Sequence, residues 1–139
     1  MDQSKSIRTG YFQALDGNVM HEGSPVKICD AFGDGETPYV ILTSQTATQT
    51  PVKRNKAFDC TIVVDIFAKY NTAKGFDDVE DIAEQIEAII NPENEQDLTL
   101  TGFQIVGTQK ELDQNLPDKN GSIYIYRKLL RYRHKLFKL

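Results

Sequence analysis

FDCTIVVDIFAK, residues 58–69, decides the fold. Phe58, Cys60, Ile62, Val64, Ile66 and Ala68 form one alternating set, and every member is apolar. Asp59, Thr61, Val63, Asp65, Phe67 and Lys69 form the other, which is mixed. A period of two places the first set toward a core and the second away from it. This is a long strand with one buried face. Asp59 and Asp65 share the mixed face, and a solvated strand face explains them better than a catalytic carboxylate pair.

Downstream, YNTAKG is a turn, and FDDVEDIAEQIEAIIN is a helix. Val79, Ile82, Ala83, Ile86, Ile89 and Ile90 make its apolar stripe. Asp77 and Glu80 have capping-box spacing, and Asn91-Pro92 closes the helix. The segment DLTLTGFQIVGTQKEL reads as a strand, DQNLPDKNGS as a turn region, and Asn120-Gly121 as a hairpin signal. A last strand begins at Ile123. It sets Ile123, Ile125 and Leu129 on one face and Tyr124, Tyr126 and Leu130 on the other.

Upstream, Ile7, Tyr11 and Leu15 mark a short amphipathic helix over 4–15, weakened by Gly10. VMHEGSPVKICDAF reads as a hairpin around Glu22-Gly23, and PYVILTS as a buried strand. SQTATQTPVKRNKAF, 44–58, is Thr- and Gln-rich and reads as a long hairpin loop or strand extension carrying Lys53, Arg54 and Lys56. The pattern predicts an α+β domain spanning 1–139. It has a mostly antiparallel sheet, with an N-terminal helix and one long amphipathic helix on one face. Residues 131–139 are expected to be a C-terminal extension.

The chain is 139 residues long with a net charge of -4. That length supports a single core without staples. No apolar run reaches membrane-span length, and the N-terminus lacks a signal-like apolar core, so a cytoplasmic origin is the default expectation. Two cysteines and two histidines offer no zinc pattern. Cys29 and Cys60 read as buried thiols. His21 reads as a surface residue, and His134 as part of a basic tail. No GxSxG, P-loop or HExxH is present, and neither a catalytic residue nor a cofactor or metal is expected.

Charge is distributed unevenly. Residues 77–97 hold nine acidic side chains and no basic one, and residues 127–138 hold six basic ones and no acidic one. Such blocks often make interaction surfaces. They read either as a pair of solvated faces or, more sharply, as a head-to-tail contact between copies. Arg127, Arg131 and Arg133 would meet Asp81, Glu84 and Glu87 of a neighbour, with Tyr124, Tyr126, Tyr132, Leu136 and Phe137 as anchors. Basic residues interleaved with aromatics also suit a nucleic-acid-binding module, although the sequence pI near 5.1 opposes that. A membrane surface fits less well.

The layout from the N-terminal YFQALDGNV through PYVILTS, FDCTIVVDIFAK and GFDDVEDIAEQIEAI to IYIYRKLLRYR resembles the phage tail-terminator, or tail-completion, family of head–tail joining proteins. The resemblance is one of pattern, over roughly residues 7–133. It implies a non-enzymatic virion protein, a hexameric or dodecameric ring at the tail–head junction, made in the host cytoplasm. Its implied partners are tail-tube and head-connector or portal-side proteins, with DNA crossing the lumen without sequence-specific binding. Lys53, Arg54 and Lys56 would face the tube or lumen. A neck or adaptor ring of a short-tailed phage is the alternative.

Overall fold

The computed structural model describes residues 1–33, 37–51, 56–93 and 98–139. Helix α1 (Gln3–Leu15) precedes a small hairpin, β1 (Met20–His21) and β2 (Ser24–Pro25). Then come β3 (Lys27–Asp30), β4 (Tyr39–Thr50), β5 (Ala57–Tyr70), helix α2 (Asp77–Ile90), β6 (Phe103–Asn120) and β7 (Ile123–Lys138). The main sheet runs β3-β4-β5-β7-β6. It is antiparallel except for β3 and β4, which pair in parallel, Lys27 opposite Tyr39. The architecture is α+β, as the sequence predicts.

Phe58, Cys60, Ile62, Val64, Ile66 and Ala68 are all buried and share one core cluster with Ile7, Tyr11 and Leu15 of α1 and Val79, Ile82, Ala83, Ile86 and Ile90 of α2. Both helices therefore pack on the same sheet face. Glu22 and Gly23 take positive φ in the β1–β2 turn, as does Gly121 between β6 and β7; the left-handed conformation favours glycine there. Gly10 also has a physical role. A Cβ there would lie 2.6 Å from a Leu100 methyl and 3.2 Å from the Thr99 carbonyl, so its absence lets the 98–100 segment lie against α1.

Several expectations need correction. Segment 131–138 is not an extension. It is the second half of β7, paired with β5 from Ala57 opposite Phe137 and with β6 from Phe103 opposite Lys138. The even-numbered residues of β7 from Tyr124 to Leu136 face the helices, and two of them, Lys128 and His134, are polar, which hides the buried alternation. Of the two readings of 44–58, the strand extension holds for 44–50, which is part of β4. The polar stretch 113–120 is strand β6, whose exposed edge position needs no apolar residues. α2 has no capping box: Phe76 is its N-cap without a side-chain hydrogen bond. Asp65 is not solvated but buried.

Candidate subunit interface

The residues expected to meet a neighbour are placed very differently from one another. Leu136 and Tyr132 are fully buried in the chain's own core. Tyr126 is buried too, its ring edge-on to Phe76 at 5.1 Å, and its hydroxyl accepts the Lys74 N–H at 3.1 Å. Tyr124 is half-buried beneath Lys119 Nζ, 4.8 Å from the ring centre. Phe137 remains exposed. Leu136 and Tyr126 are thus core residues, because the helix-facing side of β7 carries them inward; only Phe137 stays available as an anchor.

The arginines lie on the opposite face of β7, where no described helix packs. Each has a carboxylate on an adjacent strand. Arg127 donates to Asp65 on β5 at 2.7 Å, and that hydrogen bond holds the guanidinium pKa above its ordinary value. Glu111 on β6 lies 3.6 Å from Arg131 and accepts a hydrogen bond from Arg133. Cross-strand neighbours at this spacing are the natural partners in a sheet. The basic block is therefore largely neutralised within the chain; Lys135 and Lys138 are its exposed remainder, beside the exposed Lys56 near the β4–β5 end. The Lys56 carbonyl accepts the Lys138 N–H at 2.9 Å, which ties that end together. Lys53 and Arg54 lie outside the described residues.

The acidic block behaves otherwise. α2 borders an open cleft of about 1050 Å³, lined by Glu80, Asp81, Glu84 and Glu87 on the helix and Lys110, Asp113 and Lys128 on the sheet. The floor is internally paired. Lys128 reaches Asp113 at 2.6 Å, Lys110 reaches it at 3.0 Å, and Glu87 lies 3.9 Å from Lys110. Burial pushes the Asp113 pKa up, but hydrogen bonds from Lys128 and Lys110 outweigh it, and the net shift is downward. Glu87 also accepts from the Tyr132 hydroxyl. Asp77, Glu80, Asp81 and Glu84 stay exposed, with no ion pair among the described residues. Of the three predicted acidic contacts, Asp81 and Glu84 are available and Glu87 is engaged at home.

Beneath α1 lies a polar site that sequence reasoning missed. His134 is fully buried. Its Nε2 meets the Tyr11 hydroxyl and its Nδ1 the Thr108 hydroxyl, the latter at 2.9 Å. Burial pushes its pKa down to about 4, and burial first of all raises that of Tyr11. Only the parity of β7, Leu136 inward and hence His134 inward, could have signalled this. Cys29 and Cys60 are buried, and neither forms a disulfide among the described residues. His21 is partly covered, 3.8 Å from Glu22.

Besides the short outer edge of β3, which ends the sheet, two longer strand edges carry no described strand. β3 covers β4 only over Tyr39–Leu42, so Thr43–Thr50 has no described strand on its outer side. β6 pairs with β7 alone along its length. No family model matches the sequence, and no curated protein matches it. The fold itself is similar to that of a chain in the virion of a native gene transfer agent particle, with a TM-score of 0.68 at 16% identity, over 95% of this chain and 96% of that one.

Proposed function

We propose that the chain is a structural virion protein that assembles as a ring at the head-proximal end of a phage tail or in the neck, ends tail-tube growth and joins the tail to the head connector. The observation that carries the reading is the near-complete match of its fold, end to end, to a chain of a virion particle. The resemblance in sequence layout to tail-terminator proteins narrows the role. Two open strand edges and an exposed carboxylate row supply surfaces for neighbours in such an assembly. The nucleic-acid-module reading loses its main support, because Arg127, Arg131 and Arg133 are already paired with Asp65 and Glu111. DNA would then cross the lumen without being gripped.

Light scattering coupled to size exclusion tests the ring. The chain mass is 15.7 kDa, and the expected particle is a hexamer or dodecamer that shrinks as salt rises, since exposed charge is screened over roughly 10 Å at 0.1 M salt. Addition of isolated tail tubes should cap their ends. A monomer at every concentration, with no binding to tubes or connectors, would overturn the reading.

A further inference from the structure

We infer that neighbouring copies join edge to edge, β6 of one subunit pairing with the Thr43–Thr50 half of β4 in the next; this rests on the ring reading above. Strand direction permits it. β4 is antiparallel to β5, β5 to β7 and β7 to β6, so the two open edges run in opposite directions. Set side by side, they form an antiparallel ladder that continues the alternation of the sheet.

Height permits it as well. Thr46 lies opposite Thr61, Thr61 opposite Arg133, and Arg133 opposite Gln109. Gln49 leads in the same way through Phe58 and Leu136 to Ile105. The open half of β4 and the first half of β6 are therefore level across the sheet.

The sequence of both halves favours pairing. Exposed edges are normally blocked by charge or proline. SQTATQT at 44–50 and FQIVGTQ at 103–109 have neither. Pro117 and the charged residues Asp113, Asp118 and Lys119 fall beyond the level stretch of β6, and Lys110 and Glu111 lie at its far end, level with Gln45 and the residues before it. β3 shields the other half of β4. The unprotected parts of the two edges are the parts that would meet. A bulge between Ile105 and Gly107 bends β6 there, and a sheet that closes on itself needs such bends.

Charge selects this pairing over its symmetric rivals. α1 stands on the β4 side, where Arg8 donates to Gln45 at 3.2 Å and Gln45 donates to the Ser4 carbonyl at 2.7 Å. Its charged residues are Lys5 and Arg8, with no carboxylate between Gln3 and Leu15; the exposed Asp30 carboxylate lies 3.6 Å from Arg8 and offsets it only in part. α2 stands on the β6 side, beside Lys110. Its charged residues are Asp77, Asp78, Glu80, Asp81, Glu84 and Glu87, with no base. Gln45 and Lys110 are level through Ile62 and Tyr132, so the pairing sets Arg8 of one copy beside the carboxylate row of the next. β6 against β6 would set two acidic helices together, and β4 against β4 two basic ones. Opposed charge at the rim fixes orientation and partner choice.

Cysteine cross-linking tests the interface. Directly opposite strand residues come within disulfide reach, and the native Cys29 and Cys60 are buried. Thr46→Cys combined in turn with Gly107→Cys, Gln109→Cys and Leu112→Cys samples successive registers on one face. Circular dichroism checks that each variant is folded, and light scattering gives its mass. The expected result is a ladder of oligomers on mild oxidation for at least one pair, and none from the single variants. Reversing charge with Lys5→Glu and Arg8→Glu should weaken assembly at least tenfold in midpoint concentration. Oligomers that form without a ladder, or dimers from Thr46→Cys alone, would overturn this interface and leave the ring reading intact. A chain that never assembles, whether alone or with tail tubes or connectors, would overturn both.

Discussion

His134 takes no charge at neutral pH, and its burial sets a pH dependence. Its folded pKa of about 4 lies below the ordinary 6.5. The unfolded chain therefore binds the proton more readily, and stability falls as pH drops from about 6.5 toward 4. The full effect is about 3 kcal/mol. Thermal unfolding at pH 7 and pH 4.5 should show the loss, and His134→Gln should flatten the slope between them. An equally steep slope in that variant would remove His134 as its cause. Asp65 and Arg127 give an asymmetric prediction at the same scale. The Asp65 side chain is 5% exposed and that of Arg127 is 37% exposed. Arg127→Ala strands a buried carboxylate and should cost about 2 kcal/mol, below the range for a wholly buried pair. Asp65→Asn keeps a hydrogen-bonding partner for Arg127 and should cost about 1 kcal/mol or less. Chemical denaturation of the two variants decides the order.

β7 shows which elements a sequence can and cannot reveal. β5 and α2 are legible because their buried positions are almost uniformly apolar, from Phe58 to Ala68 and from Val79 to Ile90. In β7 the inward set is Tyr124, Tyr126, Lys128, Leu130, Tyr132, His134 and Leu136. Its two polar members break the pattern, and their partners lie far away in sequence: Asp113 and Asn115 for Lys128, Tyr11 and Thr108 for His134. The arginines looked available for the same reason, since Glu111 and Asp65 are not neighbours in the chain. Pairing of β3 with β4 in parallel was equally hidden, because short runs carry no mark of direction. The acidic row of α2 was legible, and it is the part of the candidate site that stays exposed. Because β7 lies between β5 and β6, its second half is a central strand. Leu136→Ala should cost about 2 to 5 kcal/mol. A chain ending at Tyr126 should fail to fold, where an extension would have been dispensable. A cooperative melt of that truncated chain at wild-type temperature would contradict the role given to β7.

At the scale of the molecule, the question is what the surface offers to DNA. The net charge is -4, and the exposed row of α2 adds a local repulsion. The arginines that once suggested a nucleic-acid grip are compensated in pairs: Glu111 serves Arg131 and Arg133, and Asp65 serves Arg127. Affinity for a phosphate backbone comes from bases that can release counterions, about one per phosphate contact. A base already paired with a carboxylate contributes little of this. The wild-type protein should therefore leave duplex DNA unbound at concentrations up to roughly 100 μM in physiological salt, the weak end of non-specific binding. Glu111→Gln removes one carboxylate and frees two guanidinium groups on the open sheet face, while the amide still accepts a hydrogen bond. Fluorescence anisotropy with a labelled duplex at low salt should then detect binding that weakens steeply as salt rises. Appreciable binding by the wild type, unchanged in Glu111→Gln, would mean that a different surface holds DNA. The neutralised sheet face would then not be what keeps the molecule from gripping a strand that passes it.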